Sequence, residues 1–470
     1  MKLKLLVFAM LLQYTVASSQ EKPNVLLIMV DDMNDWVGAF GGNPQAITPN
    51  IDKFAKKSVI FKNAYCSAPL CNPSRTSLLT GYLPARTGVY GNSEVFRDIP
   101  AYKNVVTLPQ YFYKNGYTTA AAGKIFHSPR GTGTKPKPGS DPGSFEMEDK
   151  GGLGSTFPDE KDKFTHGLDF SYLNEDSHIT RTFDWKGVDV AIEKTADWKS
   201  ADYAARFLKE KHDKPFFLAC GIFRPHLPWY APQKFFDMYN IDDIKIPEVI
   251  ANDLDDVGPM GKKIAFTSLH EEIVKKNQWK EAVRAYLANL SYADACVGHL
   301  LDNLETSAFN KNTIVVIMGD HGWHLGEKTH WTKSTVWEES AKTPLLIFDP
   351  RNGNKGVSAK IVSLIDVYPT LLDLCNLPAK ADLDGNSFKS VLTNSKGDWK
   401  NMALTSKNDN IHSLRNENYR YIKYSDGFEE LYDHRIDPME WKNIAKDKAN
   451  TTVVSNFRKE LEAVLAKVKK

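Results

Sequence analysis

The sequence predicts an α/β fold in which a large, mostly parallel sheet lies between helices. Residues 24–30, 216–223 and 313–318 form continuous apolar runs with the length and composition of strands buried on both faces. Polar residues follow these runs: Asp31-Asp32, Arg224-Pro225-His226 and Gly319-Asp320-His321. Ligands of open α/β sheets bind beyond the carboxyl ends of the strands. We therefore expect these polar side chains to share one site.

A long helix is predicted over residues 279–304, and a smaller α+β subdomain on an antiparallel sheet over residues 379–470. In the subdomain, residues 419–424 and 429–432 are predicted to form strands, and 453–468 a closing amphipathic helix. One face of the long helix is apolar: Tyr286, Leu290, Ala293, Val297, Leu300, Leu301 and Leu304. We expect this face to pack in the core and assign it no chemistry.

Residues 1–19 have the pattern of a secretory signal peptide, which predicts a periplasmic or secreted protein. Lys2 and Lys4 precede an apolar run at 5–12, and Val16-Ala17-Ser18-Ser19 offers small residues for cleavage. No cysteine comes directly after that run, so no lipoprotein anchor is predicted. No other run is long and apolar enough to span a bilayer, so no membrane anchor is predicted either.

The rest of the chain is predicted to form a catalytic domain over residues 20–378, followed by the subdomain. Within the predicted catalytic domain, the sequence of residues 128–188 shows little periodicity, and the first part of this segment is rich in Gly and Pro. Long irregular segments in compact domains are usually functional loops or disordered. Two interpretations stay open, an insertion over the ligand pocket and a mobile surface excursion.

The charge balance argues against nucleic acid as a partner. Formal net charge is +2, and removal of a signal peptide with its two lysines brings it near zero. A nucleic-acid-binding protein normally carries a basic excess. The five cysteines show no spacing typical of a disulfide framework or a zinc site, and Cys220 and Cys296 are expected to be buried thiols.

A cysteine-led motif, Cys71-Asn72-Pro73-Ser74-Arg75, is predicted to open a helix. Asn72 is expected to cap it, Pro73 fits its first turn, and Gly81 is suited to its end. Cys71 would then lie at a helix N-terminus, where backbone N–H groups favour an anion such as sulfate.

Three carboxylates, those of Asp31, Asp32 and Asp320, are predicted to meet at one sheet edge. Their mutual repulsion argues for a bound cation. Oxygen ligands suit Ca²⁺ or Mg²⁺ better than zinc.

Taken together, these motifs resemble the formylglycine-dependent type I sulfatases of the alkaline phosphatase superfamily, and within them the iduronate-2-sulfatase-like subgroup. The resemblance runs from about residue 24 to about residue 445. Besides the cysteine-led motif it rests on these segments: Gly123-Lys124-Ile125-Phe126-His127, Arg224-Pro225-His226-Leu227-Pro228, Asp320-His321-Gly322-Trp323-His324, Trp331-Thr332-Lys333 and Glu429-Glu430-Leu431-Tyr432-Asp433.

The resemblance implies an alkaline-phosphatase-like fold and conversion of Cys71 to formylglycine (3-oxoalanine) by a formylglycine-generating enzyme or sulfatase maturase. Cys66, which is followed by Ser-Ala-Pro-Leu, lacks the motif and should stay unmodified. The implied cation is Ca²⁺ in preference to Mg²⁺. Its implied ligands are Asp31, Asp32, Asp320, His321 and the modified Cys71.

The resemblance also implies catalytic roles. Arg75 would steady the formylglycine hydrate, and Lys124 and Lys333 would hold sulfate oxygens. His127 would take the proton that releases sulfate, and His226 would protonate the leaving alkoxide. Four residues flanking these motifs are expected either to bind the sugar or to pack the pocket wall: Trp229, Tyr230, Trp323 and His324.

The expected function is an exported sulfatase that hydrolyses O-sulfate esters of sulfated polysaccharides or oligosaccharides. An algal polysaccharide such as ulvan is favoured as the substrate, and iduronate 2-sulfate of glycosaminoglycans is a further candidate. The alternatives are a phosphodiester or phosphonate monoester hydrolase of the same superfamily and a non-catalytic glycan-binding relative.

Overall fold

A computed structural model of the chain describes residues 22–127, 141–149, 166, 168–169 and 182–468. The predicted signal peptide and most of the segment 128–188 lie outside these described residues. None of the helices in the described ranges is long and apolar enough to cross a membrane. All five cysteines are buried and free, as expected for Cys220 and Cys296.

The centre of the molecule is an eight-stranded sheet, and seven of its strands run in the same direction. Only Lys342–Phe348 is antiparallel to both of its neighbours. The order across the sheet is Gly356–Ser363, Val59–Tyr65, Lys342–Phe348, Thr313–Gly319, Asn24–Val30, Phe216–Ile222, Thr118–Gly123 and Met147–Glu148. The predicted mixed, mostly parallel sheet is confirmed.

Helices cover both faces of this sheet because the central strand is apolar at every position from Val25 to Val30. Within Asn24–Val30, the side chains of Leu26, Ile28 and Val30 join one core and those of Val25, Leu27 and Met29 the other. Helices Ala196–Phe207 and Trp279–Glu305 pack in the first core. The second core contains helices Cys71–Thr80, Leu108–Lys114 and Val367–Leu374.

Shorter elements complete the catalytic region. Trp185–Val188 pairs in parallel with Trp229–Pro232, and His324–Leu325 pairs antiparallel with Trp331–Thr332. The structure describes these further α-helices before the subdomain's sheet: Pro49–Ala55, Pro84–Thr87, Gln233–Phe236, Pro259–Ala265, Ser268–Lys275, Glu338–Ala341 and Lys389–Thr393.

The C-terminal subdomain contains a separate antiparallel sheet of four strands, Ala403–Asn408, Ile411–Arg415, Tyr419–Lys423 and Glu429–Asp433. Helix Thr451–Val468 packs on one face through Phe457 and Leu461. The predicted antiparallel sheet and closing helix are therefore present, together with two strands that the sequence did not reveal.

Strand register brings distant segments to one edge of the large sheet. Val30 is paired with Gly319 on one side and Ile222 on the other, and Gly123 is paired with Gly221. The residues that follow these strands therefore emerge side by side. At this edge the Asp31 amide donates to the Ile222 carbonyl at 2.9 Å.

Candidate active site

Cys71 lies at the start of helix Cys71–Thr80 and is fully buried. Its Sγ is 2.9 Å from Lys333 Nζ, 3.4 Å from His321 Nε2 and 3.8 Å from Asp32 Oδ1. The helix ends at Gly81, whose φ of 77° is the left-handed conformation that favours glycine at this position. The predicted placement of Cys71 at a helix N-terminus is confirmed.

Asn72 does not cap this helix, contrary to the sequence expectation. Leu70 occupies the N-cap position, and Asn72 lies within the first turn. The Asn72 side-chain amide instead donates to the carbonyls of Gly91 and Glu94, both at 2.8 Å. This amide therefore fastens the neighbouring loop to the helix.

Arg75 joins the two strands that carry the carboxylates. Its Nη2 donates to Asp31 Oδ1 at 2.9 Å, and its Nε donates to Asp320 Oδ2 at 2.7 Å. All three side chains are fully buried. Arg75 also donates to the carbonyls of Lys124 and Ile125, so one guanidinium fixes the ends of three strands.

Two lysines contact further oxygens of Asp31 and Asp32. Lys124 Nζ donates to Asp31 and Lys333 Nζ donates to Asp32. With Arg75, these lysines place three cations against the three carboxylates. The repulsion among the carboxylates, expected from the sequence, is thus balanced by charged groups of the protein. A bound divalent cation would make the site net positive, which favours an anionic ester.

Four residues present atoms able to hold a metal ion. Ligand atoms of Asp31, Asp32, Cys71 and His321 lie within 4.8 Å of one another. Asp320 is outside this group, and its oxygens accept from Arg75 and from the Asp32 amide at 3.1 Å. Asp32 Oδ2 is buried without a hydrogen-bond partner among the described residues. This oxygen and the carboxylate-rich donor set fit a hard cation.

Burial sets the protonation of this cluster. Burial raises the pKa of Asp32 to about 8, against the opposing charge of Lys333. Burial also raises the pKa of Asp31, but Lys124 and Arg75 outweigh it and hold the value well below the usual range. A bound cation would remove the penalty on the charged form of Asp32.

Two further predicted histidines lie at this edge. Burial, and then the charge of Lys124, lower the pKa of His127 to about 2, so its ring is neutral near pH 7. His127 Nδ1 has no hydrogen-bond partner within the described ranges. His226 Nε2 is 3.9 Å from Asp32 Oδ2, and its Nδ1 is 2.6 Å from the Leu227 carbonyl. Both rings interact electrostatically with Asp31.

The four predicted sugar-binding residues are all buried. Trp229 packs against Trp323 and Tyr286, and the Tyr230 hydroxyl donates to Asp184. Both ring nitrogens of His324 have internal partners, at 3.1 Å from the carbonyl of Glu327 and 2.8 Å from Oγ1 of Thr335. These contacts place Trp229, Tyr230 and His324 in the wall behind the cluster.

Trp323 differs from those three residues. Lys333 Nζ lies 5.3 Å from the centre of its ring, which is the geometry of a cation–π contact. The indole N–H has no hydrogen-bond partner among the residues that the structure describes. Among these four side chains, Trp323 thus has a direct contact with the cluster.

Tyr286 is a member of the site that the sequence analysis assigned only to the core. Its hydroxyl donates to the Asp32 carbonyl at 2.9 Å and accepts from the Asn34 amide at 3.0 Å. The ring is buried on helix Trp279–Glu305. Helical periodicity identified the buried face, but it carries no signal for the hydroxyl at the end of the ring.

Comparison with known proteins places the chain in a family. The model of the sulfatase family matches residues 23–377, and that of the C-terminal region of N-sulphoglucosamine sulphohydrolase matches residues 326–467. A sulfatase of Formosa agariphila is 35% identical over 96% of this chain and 87% of its own length. An ulvan-active sulfatase of the same organism is 26% identical over 95% and 82%.

A further relative and a solved structure of the same fold are also similar to this chain. Iduronate 2-sulfatase of Mus musculus is 29% identical over 77% of this chain and 70% of its own length. The solved phosphonate monoester hydrolase of Agrobacterium radiobacter has a TM-score of 0.76 at 20% identity, covering 95% of this chain and 96% of that one. The chain belongs to the type I sulfatases of the alkaline phosphatase superfamily and is a sulfuric ester hydrolase.

Proposed function

We propose that this chain is an exported, Ca²⁺-dependent sulfatase that uses a formylglycine at position 71 to hydrolyse O-sulfate esters of polysaccharide fragments. The observation that carries the proposal is the environment of Cys71. A buried cysteine at a helix N-terminus is surrounded by Lys333, His321 and Asp32. Lys333 and the N-terminus of the helix favour an anion at the end of the Cys71 side chain, and Asp32 supplies a candidate metal ligand beside it.

Formylglycine would supply a hydrate with two hydroxyls on one carbon, one to attack sulfur and one whose deprotonation expels sulfate. Arg75 holds the strand ends around this position through Asp31 and Asp320. The side chain at position 71 is therefore fixed in a rigid, buried frame. Such preorganisation lowers the barrier for displacement at sulfur.

Asp31, Asp32 and His321, with the modified residue 71, are the proposed ligands of Ca²⁺. When bound, this ion would supply positive charge that polarises the sulfate ester. In the structure Asp320 contacts Arg75 and the Asp32 amide, so its proposed role as a ligand requires a change in these contacts.

Lys124 and Lys333 are proposed to bind the sulfate oxygens. Each ammonium has three donors, so contacts with Asp31 and Asp32 leave donors available to the substrate. His127 is neutral near pH 7 and is proposed to accept the proton whose removal releases sulfate. His226 is proposed to donate a proton to the leaving alkoxide.

An algal polysaccharide such as ulvan is the proposed substrate source. The ulvan-active relative supports it by covering nearly the whole chain. The iduronate 2-sulfatase relative supports glycosaminoglycans as the competing source. Export rests on the pattern of residues 1–19, and isolation of a periplasmic or secreted form that begins at Gln20 would test it.

Peptide mass spectrometry tests the modification. The protein is produced with a formylglycine-generating enzyme, and the peptide that contains Cys71 is examined for the aldehyde. Cys66 is the internal control, because it is also buried but lacks the motif. Persistent thiol at position 71 together with sugar binding and no turnover would instead identify a glycan-binding relative.

Sulfate release tests the reaction and its substrate. Ulvan fragments, carrageenan fragments and 2-sulfated iduronate disaccharides are incubated with the enzyme, and Cys71→Ala serves as the blank. Release from the ulvan fragments alone is the expected result. Release by Cys71→Ala at a comparable rate would contradict position 71 as the nucleophile.

A phosphonate monoester hydrolase is the second candidate, because such an enzyme shares the fold across 95% of this chain. Matched aryl sulfate and aryl phosphonate substrates separate the two activities. The sulfatase proposal expects the larger kcat/KM on the sulfate. A dominant rate on the phosphonate would reverse the assignment.

A further inference from the structure

The hairpin that joins Ala403–Asn408 to Ile411–Arg415 contains a β-bulge at Lys407. Ser406 is paired with His412 and Asn408 with Ile411, so the register shifts by one residue and Lys407 has no partner on the opposite strand. Bulges re-aim side chains and are common beside active sites. The His412 ring stabilises this turn through contacts with Ser406 Oγ at 2.9 Å and the Asp409 carbonyl at 3.1 Å.

The bulged strand is bonded to the segment that leads into Cys71. Thr405 Oγ1 donates to the Cys66 carbonyl at 2.6 Å, and the Ser406 amide donates to the Ser67 carbonyl at 2.9 Å. Lys407 is the next residue on that strand. The hairpin is therefore fixed directly against the entry to the catalytic helix.

Two charged residues of the hairpin act electrostatically on groups outside it, His330 and Tyr90. Burial lowers the pKa of His330 to about 4, although hydrogen bonds with backbone carbonyls raise it. The charge of Lys407 adds to the lowering. His330 Nε2 is 3.0 Å from the carbonyl of Lys333, the lysine that contacts Cys71. At the tip of the hairpin, Asp409 adds to the effect of burial in raising the pKa of Tyr90.

Lys407 is half-buried and has neither a hydrogen-bond partner nor an acidic partner within the described part of the chain. Burial alone lowers its pKa. Arg75, Lys124 and Lys333 are different, since each contacts a carboxylate of the cluster. A partly desolvated ammonium without a counterion costs stability, and an anionic ligand would offset that cost.

We propose that Lys407 binds a second anionic group of the substrate, either a uronate carboxylate or a second sulfate ester, beside the sulfate that is cleaved. The inference rests on the proposed function and deepens it, because it names a feature that the oligosaccharide must carry. The bulge and the bonds from Thr405 and Ser406 fix Lys407 beside the segment that leads into Cys71, although this lysine lies in the C-terminal subdomain.

The test compares two substrates, 4-nitrophenyl sulfate with one anionic group and a 2-sulfated uronate disaccharide with two. Lys407→Met is expected to lower kcat/KM on the disaccharide at least about tenfold more than on the aryl sulfate, the effect of one charge-assisted hydrogen bond. Lys400→Met is the matched control, because Lys400 is exposed on the same segment. It should change neither value.

Two additional variants guard against misfolding of Lys407→Met. Lys407→Gln keeps a polar side chain without charge and should show the same selective loss. Lys407→Arg keeps the charge and should restore much of the preference for the disaccharide. Equal reductions on both substrates, or none, in Lys407→Met and Lys407→Gln would overturn the inference.

The source of the second anion is distinguished with modified disaccharides. Reduction of the carboxylate to an alcohol should abolish the effect of Lys407→Met if the partner is a uronate. Removal of the second sulfate from a disulfated analogue should abolish it if the partner is a sulfate ester. Wild-type enzyme with confirmed formylglycine that cleaves none of these sulfates would overturn the proposed function and this inference together, whereas normal turnover without selectivity would overturn the inference alone.

Discussion

Lys333 Nζ lies 2.9 Å from Cys71 Sγ, although 262 residues separate the two in the sequence. Burial alone would lower the pKa of Lys333, but Asp32 and Cys71 hold it above its usual value, so the ammonium stays charged. The same burial removes water that would weaken its interaction with an anion. Lys333 thus places a charged ammonium directly against the Cys71 side chain.

Replacement of Lys333 by Met should lower kcat about 10²–10³-fold, the usual loss when one stabilising donor is removed from a transition state. The thermal unfolding midpoint and the kcat on 4-nitrophenyl sulfate are the measurements. Lys355→Met is the control, because Lys355 is exposed and far along the chain from the catalytic motifs. A Lys333→Met enzyme that is folded and fully active would contradict the role of this lysine.

Removal of divalent cations should lower both activity and stability. A ligand that binds only the folded state stabilises it by about 2.7 kcal/mol at 100 times its Kd. Dialysis against a chelator should therefore lower the unfolding midpoint, and Ca²⁺ should restore it more effectively than Mg²⁺. Calorimetric titration of Asp32→Asn should show weaker Ca²⁺ binding. An unchanged midpoint and unchanged turnover in the chelated enzyme would count against the metal site.

Two buried tyrosines on helix Trp279–Glu305 offer a matched pair. The Tyr286 hydroxyl donates to the Asp32 carbonyl, whereas that of Tyr292 donates to Thr195 Oγ1 at 2.5 Å. Each Tyr→Phe change should cost about 1 kcal/mol in the free energy of unfolding. Only Tyr286→Phe should also weaken Ca²⁺ affinity, severalfold, because it releases the backbone at Asp32. If Tyr286→Phe and Tyr292→Phe bind Ca²⁺ with similar affinity, the role of Tyr286 is structural only.

The free energy of unfolding should fall on acidification, because Glu338 loses its charge at the junction of the catalytic region and the C-terminal subdomain. Burial raises the pKa of Glu338, but His434 and Arg420 outweigh it and hold the value well below 4.5. The unfolded chain then binds the proton first as pH falls. Stability from Glu338 is therefore complete above pH 4.5 and is lost as pH falls through the lower, folded-state value.

Urea unfolding of wild type and Glu338→Gln across the acidic range measures this contribution. The variant should have a lower free energy of unfolding at neutral pH and a flatter dependence below pH 4.5. Glu417→Gln, at an exposed position nearby, is the control. Parallel pH profiles for Glu338→Gln and wild type would show that the acid sensitivity arises elsewhere.

The sequence predicted the parts of the fold whose signal is local. Asn24–Val30 and Thr313–Gly319 are uninterrupted apolar runs, and polar residues after them indicated the site. Lys342–Phe348 was missed because its direction depends on the neighbours Val59–Tyr65 and Thr313–Gly319, which local composition does not specify.

Within the site, residue types were easier to predict than contacts. The motif indicated Arg75, but only the structure shows that its guanidinium spans Asp31 and Asp320. The charge balance of the cluster depends on such contacts, so repulsion among the carboxylates alone overstated the need for a cation. Lys407 carried no motif at all, since a bulge is a property of paired strands.

The strand order has a consequence for how the chain folds as it is synthesised. Asn24 contacts Phe216, 192 residues later, and Asp32 contacts Asp320, 288 residues later. Both edges of the central strand Asn24–Val30 can therefore be paired only after most of the chain has been synthesised. Such non-local pairing is slow and leaves apolar strand edges open in the meantime. Truncation before Thr313–Gly319 should yield an aggregating chain, not a smaller enzyme with a partial site.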